Sequence, residues 1–272
     1  MRIRFREFLK KFEFSRYVYR SIKRKSPEIL DIKPKIIARY SKSNQRDFFV
    51  QIGVNDGDQQ DPFQRVIEQN EWRGVMVEPV IYVFNRLIKN KDHLKHRVKF
   101  ANVAISDQSG KADFWHLQED AKLAEERRLY DALGSFRKEV VLSHKYLIPD
   151  IEERLIKTEV DTLTFDDFCE LYDVKRIDVL QIDTEGYDYE IIKAINFDKV
   201  KPGLLIYEHL HLSDEDRREC RKIIQGHGYR YYEDTMDALC IKSSSIKKGR
   251  LGLLLSWYWL TTTRNIFGGI VG

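Results

Sequence analysis

Three carboxylates fall within six residues in Asp183-Thr184-Glu185-Gly186-Tyr187-Asp188, directly after the apolar run Ile177–Ile182. Like charges this close repel, so the cluster calls for a cation beside it: a sulfonium, an ammonium or a divalent metal. Capping of a following helix, whose dipole favours acids at its start, accounts for one of the three and hardly for all. A second apolar run, Leu204–Tyr207, leads into Glu208-His209. Histidine titrates near neutrality, which makes His209 a candidate base for a substrate hydroxyl. Asp183, Glu208 and His209 equally form a candidate set for Mg²⁺ or another hard cation.

Two earlier turns suggest what lies beside those acids. After Phe48–Ile52 comes Gly53-Val54-Asn55-Asp56-Gly57, with two glycines four residues apart. Glycine permits a sharp turn and close approach of a ligand. This is neither a dinucleotide G-x-G-x-x-G nor a phosphate-binding loop with its lysine, so no pyrophosphate cradle is expected. About twenty residues on, Gly74–Glu78 ends in a carboxylate, placed to accept both hydroxyls of a ribose. Glycine turn plus acid on a neighbouring strand reads as an adenosine site. In the next segment, Asn102 or Asp107 is in reach of an adenine amino group, and the residues do not choose between them. Asp107 with Gly110 also suits an ordinary turn.

These residues need a scaffold that brings strand ends together. The predicted strands are Phe48–Ile52, Gly74–Glu78, Val98–Ile105, Ile177–Ile182 and Leu204–Tyr207. Helices are predicted at Pro62–Gln69, Tyr82–Lys89, Thr164–Tyr172, Tyr189–Ile195 and Ser213–Gly226. This alternation specifies an α/β, Rossmann-like, mostly parallel sheet with helices on both faces. Tyr229–Glu233 and Ala238–Lys242, joined by a short connection, add an antiparallel pair. Ligands in such sheets bind beyond the carboxyl ends of the strands, where the four motifs lie. The stretch 116–157 is longer than a crossover needs and is expected to be a lid or substrate-binding insertion. It carries Ser135, Arg137 and His144.

The chain has 272 residues, 42% hydrophobic and 33% charged, which fits one large domain and excludes disordered or polytopic membrane classes. Three scattered cysteines, Cys169, Cys220 and Cys240, argue against a disulfide framework and suit a reducing, cytoplasmic setting. The net charge of +4 is unevenly spread: residues 1–25 carry +8, residues 243–272 carry +4, and the body between carries −8. An acidic body argues against nucleic-acid binding. The expected organisation is a basic amphipathic extension over 1–45, a catalytic domain over 46–243, and a basic, aromatic tail over 244–272. The two ends suit either peripheral membrane contact or packing against protein, including a second copy of the chain.

Together, Gln51-Ile52-Gly53-Val54-Asn55-Asp56-Gly57, Val77-Glu78-Pro79, Asn102–Asp107, Gln181-Ile182-Asp183-Thr184-Glu185-Gly186-Tyr187-Asp188 and Tyr207-Glu208-His209 resemble the FkbM family of S-adenosylmethionine-dependent methyltransferases, over about residues 46 to 242. Gln51 departs from the acid that many methyltransferases carry there. The resemblance implies a class I fold with a seven-stranded sheet and one antiparallel strand. It also implies methyl transfer to an oxygen of a sugar, glycan or other small hydroxylated acceptor. Gly53, Asn55 and Gly57 would line the methionine end of the cofactor, Glu78 its ribose, and Asp183 the transferring methyl. The expected catalytic groups are then Asp183, Glu185, His209 and His144, with Mg²⁺ or Mn²⁺ as the metal if one takes part. N-methylation of an amine and a non-catalytic cofactor-binding scaffold are the alternatives.

Overall fold

The computed structural model describes residues 36–37, 40, 47–57, 62–119, 130–233 and 236–242. Most of the basic extension and all of the aromatic tail lie outside the described residues. Seven strands form the main sheet: β1 (Phe48–Ile52), β2 (Arg73–Val77), β3 (Val98–Ala101), β8 (Val179–Ile182), β9 (Leu204–Glu208), β10 (Tyr229–Glu233) and β11 (Asp237–Lys242), in the order β10-β11-β9-β8-β1-β2-β3. All pairings from β3 across to β9 are parallel, and β11 runs antiparallel to both of its neighbours. This is the expected α/β sheet with one reversed strand.

Strands covered on both faces should read as continuous apolar runs, and they do. Phe49, Met76, Val179, Leu204 and Ile206 face one layer, formed by α1 (Pro62–Gln69) and α2 (Ile81–Asn90). Ile36, Ile37 and Tyr40 are buried in that same layer, so part of the N-terminal segment packs on the domain. Val50, Ile52, Val75, Leu180 and Leu205 face the opposite layer, built from α5 (Phe165–Leu171), α6 (Asp188–Ala194) and α7 (Asp214–Gly226). Alternate residues of each strand thus enter separate cores, as the two-residue period requires.

A second sheet was not foreseen. The stretch read as one strand over 98–105 divides into β3 and β4 (Ala104–Ile105), which belong to different sheets. The second sheet runs β4-β7-β5-β6, with β5 spanning Gly110–Leu117, β6 Gly134–Ser135 and β7 Leu155–Leu163. β5 and β7 pair antiparallel along their length, from Gly110 opposite Thr162 to Leu117 opposite Leu155. The described residues between them include the short helices α3 (Lys138–Leu142) and α4 (Ile151–Arg154). Leu117, Leu133, Val141, Ile148 and Ile151 give this segment a small core of its own. The described residues between β4 and α5 therefore form a packed layer over the carboxyl edge of the main sheet. No helix among the described residues is long and apolar enough to cross a membrane.

Candidate active site

The order of the main sheet reverses between β1 and β8, and the ends of those strands touch. The backbone N–H of Asp183 donates to Ile52 O at 3.0 Å. Gly53 has φ +79, and a Cβ placed there would lie 1.8 Å from Asp183 O. Only glycine lets the two strand ends meet this closely. Asn55 (φ +58) and Gly57 (φ +69) keep the turn left-handed, while Gly53 N and Val54 N tie it to Val77 O at the end of β2.

That turn delivers the Asn55 backbone N–H to Glu78 Oε2 at 3.1 Å, and Val80 N donates to Glu78 Oε1 at 2.9 Å. Burial is the larger influence on Glu78: it pushes the carboxyl from 4.5 up to about 7, against the two N–H donors that favour the charged form. Asn102 does not line the cavity. Its Nδ2 donates to Glu78 O and Pro79 O at 2.8 and 2.9 Å, fixing the loop that carries the carboxylate. Asp107 is exposed and accepts from Ser106 Oγ. Gly57 packs against Leu87 of α2 and Lys91 just past its end instead of facing the cavity. Gln51 points into the layer beneath, where its Oε1 accepts from Gln64 of α1 at 2.8 Å.

A cleft connects Glu78 with the acids after β8. Asn55 and Glu78 stand at one part of its wall, Asp183 and Glu185 at another, and Phe114, Phe136 and Tyr187 form an apolar side. The Phe136 ring lies 5.1 Å from that of Phe114 and 4.6 Å from that of Tyr187. Polar groups at separate points of an apolar wall would orient a ligand bound there.

The three clustered acids do different work. Asp188 is fully buried, accepts from Thr184 Oγ1 at 2.9 Å, and is pushed up to about 6 chiefly by burial. It braces the turn from within. Glu185 has φ +49 and is followed by Gly186 at φ +96. Its carbonyl accepts from the buried Ser135 Oγ at 2.8 Å, and Ser135 Oγ in turn accepts from Arg137 N at 3.1 Å. Ser135 and Arg137, from the expected lid or substrate-binding insertion, thus meet Glu185 through its backbone.

Behind Glu185 stand two imidazoles. His211 Nε2 lies 3.0 Å and His144 Nε2 4.0 Å from Glu185 Oε2, and the two rings are 5.3 Å apart. His144, Glu185 and His211 form one group of potential metal-binding atoms lying within 4.8 Å of one another, and Asp183, Glu185 and Glu208 form another. His209 is in neither. It is fully buried, with its backbone N–H on Met236 O. Consecutive side chains at a strand end point oppositely, so Glu208 reaching the acids turns His209 away. Sequence reasoning passed over His211. Its signal was the three-residue spacing from Glu208, with Nε2 3.9 Å from Glu208 Oε2 across the turn after β9.

The Methyltransferase FkbM domain matches residues 51–231, a span that includes the glycine turn, Glu78, the acids after β8 and both imidazoles. The chain belongs to the FkbM methyltransferase family. Its members are S-adenosylmethionine-dependent enzymes, and the chain is an enzyme of that class. No curated protein matches it. Among solved structures, it is similar to methyltransferase FkbM from Methylobacillus flagellatus KT at 12% identity and TM-score 0.44, over 72% of this chain and 44% of that one. The chain thus spans less than half the length of that protein. It is also similar to a putative caffeoyl-CoA O-methyltransferase from Staphylococcus aureus (13% identity, TM-score 0.40, covering 87% of this chain and 98% of that one). A third is an S-adenosylmethionine-dependent O-methyltransferase from Thermotoga maritima (11% identity, TM-score 0.40, covering 80% and 66%).

Proposed function

We propose that this FkbM methyltransferase methylates a hydroxyl oxygen of a sugar, glycan or other small hydroxylated molecule. S-Adenosylmethionine would lie in the cleft with its ribose on Glu78 and its sulfonium facing Asp183. The observation that carries this reading is the single cleft that runs from a buried, backbone-anchored carboxylate to a second pair of carboxylates at the strand-order reversal. The first carboxylate accepts the ribose diol. The aromatic wall of Phe114, Phe136 and Tyr187 offers apolar surface to the cofactor and keeps water from the methyl group.

Transfer from a sulfonium is an in-line displacement, so the acceptor oxygen must be held opposite the S–CH₃ bond. A neutral hydroxyl is a weak nucleophile until its proton leaves. Asp183 lines the cleft at the switch point and is assigned to receive that proton. Glu185, held through its carbonyl by Ser135 and backed by His144 and His211, positions the acceptor. His209 lies outside this arrangement and is given no part in proton transfer. The oxygen donors of Asp183, Glu185 and Glu208 fit a hard divalent cation such as Mg²⁺ or Mn²⁺. Bound there, it would supply a positive charge that acidifies the acceptor hydroxyl, with Asp183 then a ligand in place of the proton acceptor.

A methyl-release assay over a panel of glycans, hydroxylated small molecules and amines tests the reading. Turnover is expected on a hydroxyl acceptor, and Asp183→Asn should lower kcat by about a hundredfold or more while cofactor still binds. Turnover confined to amines, or a wild-type rate in Asp183→Asn, would refute it.

A further inference from the structure

We propose that His144 Nε2, Glu185 Oε2 and His211 Nε2 bind a divalent transition-metal cation of the Mn, Fe, Co, Ni or Zn class. The donor set is the first argument. Two imidazoles and one carboxylate suit these borderline metals, whereas Mg²⁺ favours an all-oxygen, six-coordinate shell.

The second argument is that His144 is already oriented as metal-bound histidines are. Its Nδ1 lies 3.1 Å from Val140 O, which can only accept, so Nδ1 carries a proton and the neutral ring would present Nε2 to a metal. The side chain is buried, which holds that tautomer in place. The third argument is convergence. Atoms about 2.0–2.2 Å from a common cation are roughly 3.0–3.5 Å apart; the His211 nitrogen lies 3.0 Å from Glu185 Oε2, within that window, and the His144 nitrogen, at 4.0 Å, must close in by about half an ångström when a cation binds.

Backbone geometry supports the same assembly. A Cβ on Gly186 would come within 3.2 Å of His211 Cβ and 3.3 Å of Val140 Cγ2. Glycine here lets the loop after β9 and helix α3 close on Glu185 from two sides. Glu185 also lines the cleft, so a cation at this point adds positive charge to the wall where the acceptor hydroxyl is proposed to sit. That role rests on the methyl-transfer reading above; the binding itself does not.

The rival is the oxygen set Asp183, Glu185 and Glu208, which shares one ligand. Full-length, tag-free chain stripped by chelator would be titrated with Co²⁺, following visible d–d absorption, with binding of S-adenosylhomocysteine measured by calorimetry on the same samples. About one equivalent should bind and resist excess Mg²⁺. His144→Gln and His211→Gln should each weaken Co²⁺ binding by about a hundredfold, while Asp183→Asn keeps it. Absence of Co²⁺ binding, binding unchanged in both histidine variants, or displacement by Mg²⁺ with loss in Asp183→Asn would overturn the proposal. If the histidine variants fail to fold, the NMR spectrum of the Co²⁺-loaded wild type decides instead. Two paramagnetically shifted imidazole N–H signals are expected, and none would contradict the site. Failure to bind S-adenosylhomocysteine with Co²⁺ retained would count against the cofactor cleft alone.

Discussion

Glu78 should make cofactor binding depend on pH near neutrality. Its carboxyl is 4% exposed, and burial raises it from 4.5 to about 7 despite the N–H groups of Asn55 and Val80. A ribose diol offers two donors, which the ionised carboxylate accepts better than the protonated acid. The ionised fraction is about a tenth at pH 6, half at pH 7 and nine-tenths at pH 8. Affinity for S-adenosylhomocysteine should therefore rise roughly tenfold from pH 6 to pH 8, about 1.3 kcal/mol, and then level off. The unliganded protein should respond in the opposite sense. Because the folded state holds a proton that the unfolded chain releases, stability falls as pH rises from 4.5 to about 7, by about 3 kcal/mol in all. Asp47 and Asp188, raised to about 7 and about 6, pull the same way. The contribution of Glu78 is accordingly read as the difference between wild type and Glu78→Gln. Calorimetric titrations with S-adenosylhomocysteine across this range, paired with thermal melts, measure both effects. A flat affinity profile in the wild type, or the same slope in Glu78→Gln, would refute the reasoning.

Gly53→Ala should be among the most damaging small substitutions in the chain. The new Cβ must gain over an ångström from Asp183 O, and its left-handed φ adds about 1–2 kcal/mol. A lowered melting temperature together with lost S-adenosylhomocysteine binding is expected; wild-type behaviour in both would show that the strand ends are not so close. Ser135→Ala removes the hydroxyl that supports Glu185, at a cost of about 1–3 kcal/mol. Its melting temperature should fall by several degrees and kcat should drop more than cofactor affinity does. Equal losses in both, or neither, would separate Ser135 from the acceptor side.

The main sheet was legible because its strands are buried on both faces and end at glycine or acidic turns. Phe48–Ile52, Pro62–Gln69 and Tyr229–Glu233 lie within the bounds that periodicity gave them. The second sheet was missed although β7 carries a period-two pattern in Ile156-Lys157-Thr158-Glu159-Val160-Asp161-Thr162-Leu163. Its inward face alternates with exposed Lys157, Glu159 and Asp161 and is made partly of threonine, Thr158 and Thr162, a weaker contrast than a two-faced core strand provides. The break between β3 and β4 depends on the side chain of Asn102 bridging to the loop after β2, a contact between residues far apart in the chain.

The site shows the same division. Placement at strand ends could be read, which is why Gly53, Asn55, Glu78, Asp183 and Glu185 all line one cleft. The direction of a side chain just past a strand end could not. Glu208 and His209 face opposite ways, and the turn after them brings back His211 instead. Asp188 looked like a third active-site acid, yet the turn from Thr184 to Asp188 folds its carboxylate inward. Such outcomes rest on turn conformations set by tertiary contacts, here the Ser135 hydroxyl and the close approach at Gly186.

The most direct test is a crystal structure with S-adenosylhomocysteine bound. The ribose hydroxyls should lie within hydrogen-bonding distance of the Glu78 carboxylate, with the sulfur turned toward Asp183. A product molecule bound elsewhere, or lying in the cleft with its ribose away from Glu78, would contradict the account.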